Sequence, residues 1–107
     1  MNAVVFQTLA DPTRLRILES LKEGEKTVSN IVDLVAIKQS GVSRHLSILH
    51  DAGFVQMRPD GQRRLYSIRA EPFQEVSKWV HSYERNWSKK LDALESHFKD
   101  KKGKKQK

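Results

Sequence analysis

Apolar residues recur at spacings of three and four through four short stretches, then alternate, then return to helical spacing for one long run. In the first stretch Val5 and Leu9 stand four apart and predict a helix over 4–9. Asp11-Pro12 reads as an N-cap followed by proline at the first helical position. Leu15, Leu18 and Leu21, with Ile17 beside them, supply the inward stripe of a helix over 12–22 that Gly24 ends. Thr27 is the next N-cap, and Val28, Ile31, Val32 and Val35 face a third helix, 27–36, inward. A fourth helix over 39–51 follows within two or three residues, with Val42, Leu46 and Leu49 as its stripe. Gly53 suits a left-handed cap there, and Phe54 folds back onto Leu49. Two short helices joined so tightly are a helix-turn-helix. Leu15, Leu18, Val42, Leu46 and Leu49 are assigned to the core.

Past Gly53 the period becomes two. Residues 54–58 and 64–68 are extended runs, and Pro59-Asp60-Gly61-Gln62 between them carries an Asp-Gly hairpin signal. The segment 54–68 is therefore a two-stranded wing, which must pack on the helices to be stable. From Pro72 to Phe98 the helical period returns unbroken, giving about 40 Å of helix at 1.5 Å per residue. Trp79, Val80, Tyr83, Trp87, Leu91 and Leu94 form one stripe of it, which so small a domain cannot cover from its own chain. A second copy is the simplest cover. The expected fold is mainly α with a β-wing: one domain over 1–98, then a disordered lysine-rich tail over 99–107.

Composition narrows the function. The net charge of +7 is local: residues 38–70 carry six basic and two acidic groups, and the tail holds six lysines and Asp100. With no cysteine, disulfides, thiolate metal sites and a cysteine nucleophile are excluded. No apolar run approaches the roughly 18 residues of a membrane span, and no secretory signal pattern opens the chain, so a soluble cytoplasmic protein is expected. An enzyme is not expected. There is no glycine-rich phosphate loop, and His45, His50, His81 and His97 have no serine or aspartate partner at a recognisable spacing.

The outward face of helix 39–51 offers Gln39, Ser40, Ser43, Arg44 and Ser47, small or forked hydrogen-bonding side chains suited to base edges in a major groove. Gln39, Ser40, Ser43 and Arg44 are the candidates for base contacts. Lys38, Thr27, Ser47 and His45 are candidates for phosphates, His45 equally for internal capping or packing. Arg58, Arg63 and Arg64 cluster at the wing tip, where a planar guanidinium fork grips phosphate or enters a narrow minor groove. The competing class is a winged-helix protein-interaction module with only non-specific DNA affinity. Double-stranded RNA is disfavoured, since its deep major groove does not admit such a helix.

These residues carry a family likeness. Phe6-Gln7-Thr8-Leu9-Ala10-Asp11-Pro12-Thr13-Arg14-Leu15-Arg16-Ile17-Leu18, Gln39-Ser40-Gly41-Val42-Ser43-Arg44-His45-Leu46, Leu49-His50-Asp51-Ala52-Gly53-Phe54-Val55 and Gly61-Gln62-Arg63-Arg64-Leu65-Tyr66 resemble the ArsR-type winged helix-turn-helix repressors, in order and over about residues 3–98. The resemblance implies a homodimer built from the first and last helices, with Val5, Phe6 and Leu9 of the first joining the interface, that represses transcription from a palindromic operator. It also implies a metal-independent member. Asn30 and Val32 stand where metal-sensing relatives carry a Cys-x-Cys pair, and His81 and Glu84 match only half of the other ligand set. Half a site cannot satisfy a tetrahedral ion, so no metal or cofactor is expected. No effector site is legible. Gly41 stands where the family usually has alanine; it costs helix stability and leaves room for close approach to the DNA backbone.

Overall fold

The computed structural model describes residues 3–105, with side chains of the last helix as far as His97. It divides into two compact units, Met1–Glu75 and Val76–Lys107. In order, the elements are α1 (Ala3–Leu9), α2 (Pro12–Ser20), β1 (Lys26–Thr27), α3 (Val28–Val35), α4 (Gln39–Asp51), β2 (Val55–Asp60), β3 (Arg63–Ile68) and α5 (Glu71–Lys105).

Local chemistry starts each helix. Asp11 takes an extended backbone, and its Oδ1 accepts the N–H of Thr13 at 2.9 Å and of Arg14 at 3.0 Å, which starts α2. Its carboxyl is held below the usual carboxylate range, chiefly by the Arg14 amide. The helix ends at Ser20 rather than residue 22. The amides of Leu21 and Lys22 reach back only three residues, to Leu18 and Glu19, and this tighter turn breaks the α pattern. Thr27 and Asn30 close a capping box on α3. That helix stops at Ala36, which takes the left-handed conformation at φ +55°. As expected, α4 ends where Gly53 turns to φ +82° and the Phe54 amide returns to the Leu49 carbonyl at 2.9 Å.

The core of the first unit is built from Ile17, Ile31, Val42, Leu46, Leu49 and Phe54, all without exposed surface, with Leu18, Leu21, Val35 and Val55 around them. Phe54 meets Phe73, at the start of α5, edge to face at 5.4 Å. Leu15 departs from its core assignment and is 47% exposed. The stem of Arg14 takes the neighbouring inward position, with its side chain only 15% exposed. Its Nε donates to the Thr8 carbonyl at 2.6 Å and so holds the end of α1.

The sheet has three strands rather than two. Lys26 and Thr27 pair with Tyr66 and Leu65, giving the antiparallel order β1-β3-β2. Two residues are too few to show an alternation, so periodicity could not reveal β1. The hairpin is also tighter than the Pro59–Gln62 turn expected from the sequence. Asp60 pairs with Arg63, so the loop is Gly61-Gln62, with Gly61 at φ +63°. Pro59 is tolerated inside β2 because β2 is an edge strand.

In the second unit α5 runs on past Phe98 to Lys105, through most of the segment whose composition suggested disorder. Lysine is a good helix former, and its charge suits a helix C-terminus. Residues 106–107 of that tail lie outside the described ones. Trp79, Val80, Tyr83, Trp87, Leu91 and Leu94 are each between 38% and 57% exposed along α5. Within that stripe Trp79 and Tyr83 stack edge to face at 4.8 Å, and the Lys90 ammonium lies 5.1 Å from the Trp87 ring.

Candidate nucleic-acid interface

The start of α3, the outward face of α4 and the wing enclose a groove of about 710 Å³. Gln39, Ser43 and Ser47 line its α4 wall, four residues apart along one helix face. Thr27, Ser29 and Asn30 form a second wall, and Gln62, Arg63, Arg64 and Tyr66 reach in from the wing. Ser40 and Arg44 lie exposed on the adjoining stripe of α4. Lys38 is exposed at the N-cap of α4 and makes no side-chain cap bond. The groove is walled almost wholly by hydrogen-bonding side chains, and no carboxylate among the described residues lines it.

Three of the candidates also meet other parts of their own chain. His45 turns inward: it is half-buried, and its Nδ1 is enclosed without a hydrogen-bond partner among the described residues. It sits close enough to Asp11 to help lower that carboxyl. Thr27 lines the groove, but its hydroxyl is spent on the capping box, accepting the Asn30 amide at 3.2 Å. Arg58 does not line the groove. Its Nε and Nη2 donate to Glu25 at 2.8 and 2.6 Å, a fork-to-fork pair that pushes the Glu25 carboxyl down and the guanidinium up.

Of the remaining wing arginines, Arg63 donates to Asp60 at 2.8 Å, whereas Arg64 has no carboxylate partner among the described residues. Arg44 likewise has none. Among the candidate residues, Lys38, Arg44 and Arg64 therefore remain for phosphate or bases, with Arg63 shared. Sequence reading missed Ser29, Asn30, Gln62 and Tyr66. Each stands within three residues of one already singled out, Thr27 for the first two and Arg63 or Arg64 for the others, and that proximity was the available signal.

The candidate metal ligands on α5 form an ordinary pair one turn apart, His81 Nδ1 to Glu84 Oε2 at 3.0 Å. No group of three or more histidine, aspartate or glutamate side chains among the described residues could hold an ion. At Gly41 a Cβ would meet Cγ2 of Ile37 at 3.2 Å, so the position faces the chain's own turn rather than an outside backbone. Val5 is buried in the first unit and offers little surface to a partner; Val4 and Phe6 are exposed apolar residues of α1, and Leu9 is half-buried. No described helix is long and apolar enough to cross a membrane.

Residues 11–57, from the α2 cap into the wing, match the pattern of the bacterial regulatory proteins of the arsR family. The transcriptional repressor SdpR of Bacillus subtilis is 33% identical over 79 residues, covering 74% of this chain and 88% of that protein. The chain belongs to the ArsR family. A probable mercury resistance operon repressor of Streptomyces lividans is 46% identical over 67 residues; the match covers 63% of this chain and 54% of that relative, about half its length. The crystal structure of an ArsR family transcriptional regulator superposes with a TM-score of 0.72 at 32% identity, covering 79% of this chain and 93% of that one. The homodimeric winged helix-turn-helix DNA-binding domain of a possible ArsR-family regulator from Mycobacterium bovis superposes with a TM-score of 0.63 at 30% identity, covering 78% and 79%. Like its family, this ArsR chain is a winged helix-turn-helix transcriptional regulator.

Proposed function

We propose that this ArsR-family chain is a cytoplasmic repressor that binds a palindromic operator as a homodimer, with residues 1–98 serving as one DNA-binding and dimerisation domain. The observation that carries this reading is the groove between α4 and the wing, walled by amides, hydroxyls and arginine and free of carboxylates. Each copy lays α4 in a major groove. Gln39, Ser40, Ser43 and Arg44 read base edges there, arginine favouring guanine and glutamine favouring adenine. Lys38 and Ser47 hold phosphates near α4, while Arg63 and Arg64 grip the backbone or minor groove from the wing. The exposed aromatic stripe of α5 around Trp79, Tyr83 and Trp87 carries the dimer, and Phe6 and Leu9 add apolar surface on α1. Regulation is independent of metal, since Asn30 and Val32 supply no thiolate.

Selection of the protein's preferred sites from a pool of random duplexes tests this directly. It should return a dyad-symmetric consensus, with half-sites about one helical turn apart or a multiple of it. A pool that stays random while binding weakens steeply with salt would overturn the reading in favour of an interaction module with non-specific DNA affinity.

A further inference from the structure

We infer that the Glu25–Arg58 pair is a strap that sets how the wing stands over the α4 groove, which makes Arg58 a positioning residue. The inference rests on the DNA-binding reading above. Thr27, Leu65 and Arg58 form one row across the three strands, since Thr27 pairs with Leu65 and Leu65 with Arg58. Side chains alternate across a sheet, so Arg58 and Leu65 share one face while Arg64, Tyr66 and Met57 share the other. Arg64 and Tyr66 line the groove, as do Thr27 and Arg63 at the ends of their strands, and Arg58 does not. Arg58 instead reaches across β3 towards the opposite edge of the sheet, a distance of about two strand spacings of 4.8 Å. There it closes on Glu25, the residue before β1, with two bonds at 2.8 and 2.6 Å.

This geometry addresses a weakness of the wing. β2 pairs with the sheet on one side only, and β1 on the other edge is two residues long. A two-stranded hairpin is marginal in water by itself. The strap ties the free edge strand to the segment that leads into α3, whose first residues form a wall of the same groove. Because the pair is solvent-exposed, its loss should cost at most about five-fold in an equilibrium constant.

The test uses the full chain with Glu25→Ala, Arg58→Ala and the exchange Glu25→Arg/Arg58→Glu, which conserves net charge. In the free protein, amide hydrogen exchange over residues 63–68 should quicken by a similar factor in both single variants and return to the wild-type rate in the exchanged pair. Titration with a duplex from upstream of the protein's own gene, against a scrambled duplex, should show both single variants weakened up to about five-fold. The slope against log salt should be unchanged, and the exchanged pair should bind as wild type does. Binding by the exchanged pair as weak as Arg58→Ala, with a slope shallower by about 0.9, would make Arg58 a phosphate contact and overturn the strap. Unchanged amide exchange in the single variants would overturn it equally. If the wild type fails to prefer its own duplex over the scrambled one, the DNA reading fails, and the amide exchange still decides the strap.

Discussion

Gly41→Ala separates two reasons for a glycine inside a recognition helix. Gly41 is the third residue of α4, and alanine is favoured over glycine in a helix by up to about 1 kcal/mol. Against that gain stands one contact, between the new Cβ and Cγ2 of Ile37 at 3.2 Å. The neighbour must yield by a few tenths of an ångström. Ile37 lies half-buried in the short turn before α4, and the atom concerned is a methyl group rather than backbone. Repulsion rises steeply at that separation, so the gain is kept only as Ile37 moves aside, and a rotation well short of about 30° from its rotamer costs less than about 0.5 kcal/mol. We expect a net stabilisation of about 0.5 kcal/mol, or roughly 2–4 °C in Tm for a domain of this size, measured by thermal melting followed by circular dichroism. Since the new methyl points at the chain's own turn, operator affinity should change by less than about two-fold. A lower Tm would show that Ile37 cannot yield. A higher Tm with a ten-fold loss of operator binding would refute the placement and restore the idea that glycine admits the DNA backbone.

Four further outcomes follow from the same geometry. Arg44→Ala should weaken operator binding by about 1–3 kcal/mol and relax preference at one base pair per half-site; equal loss on operator and scrambled duplex would make it a phosphate contact. Phe54→Ala should cost about 3–5 kcal/mol in urea unfolding, because it empties a fully buried site against Phe73; a cost below about 1.5 would mean the site collapses. Asp11 has a folded pKa below its ordinary 3.8, so its contribution is complete above that value and is lost as pH falls through the folded one. Asp11→Asn should therefore flatten the acid side of the stability profile below about pH 4, and an unchanged profile would refute the cap's electrostatic role. Trp87→Glu places a charge in the exposed stripe of α5 and should halve the sedimenting mass; an unchanged sedimentation coefficient would remove that stripe from the dimer interface.

Local chemistry made much of this fold legible. Asp11-Pro12, Thr27 and Gly53 each marked a helix end that the structure uses, because a cap depends on residues within one turn. The stripe of Val42, Leu46 and Leu49 likewise placed the polar face of α4 correctly, outward and into the groove. Longer-range effects were less visible. Glu25 and Arg58 are 33 residues apart, and no periodicity links them, so all three wing arginines looked equally available. Pairing in space then left Arg64 without a carboxylate among the described residues and turned Arg58 away from the groove. Leu15 misled for a related reason. The apolar stem of an arginine filled the inward position beside it, and a pattern of hydrophobic letters does not register that stem. Val5 was assigned to a partner because a short apolar helix has no second landmark to fix which side faces its own core.

The central claim is that α4 and the wing read DNA sequence. Fluorescence anisotropy with the duplex upstream of the protein's own gene, against a scrambled duplex at two salt concentrations and with or without EDTA, tests it most directly. Binding should be at least about 10³-fold tighter to the specific duplex, weakening with salt on both and indifferent to chelator. Equal affinity for the two duplexes would contradict it.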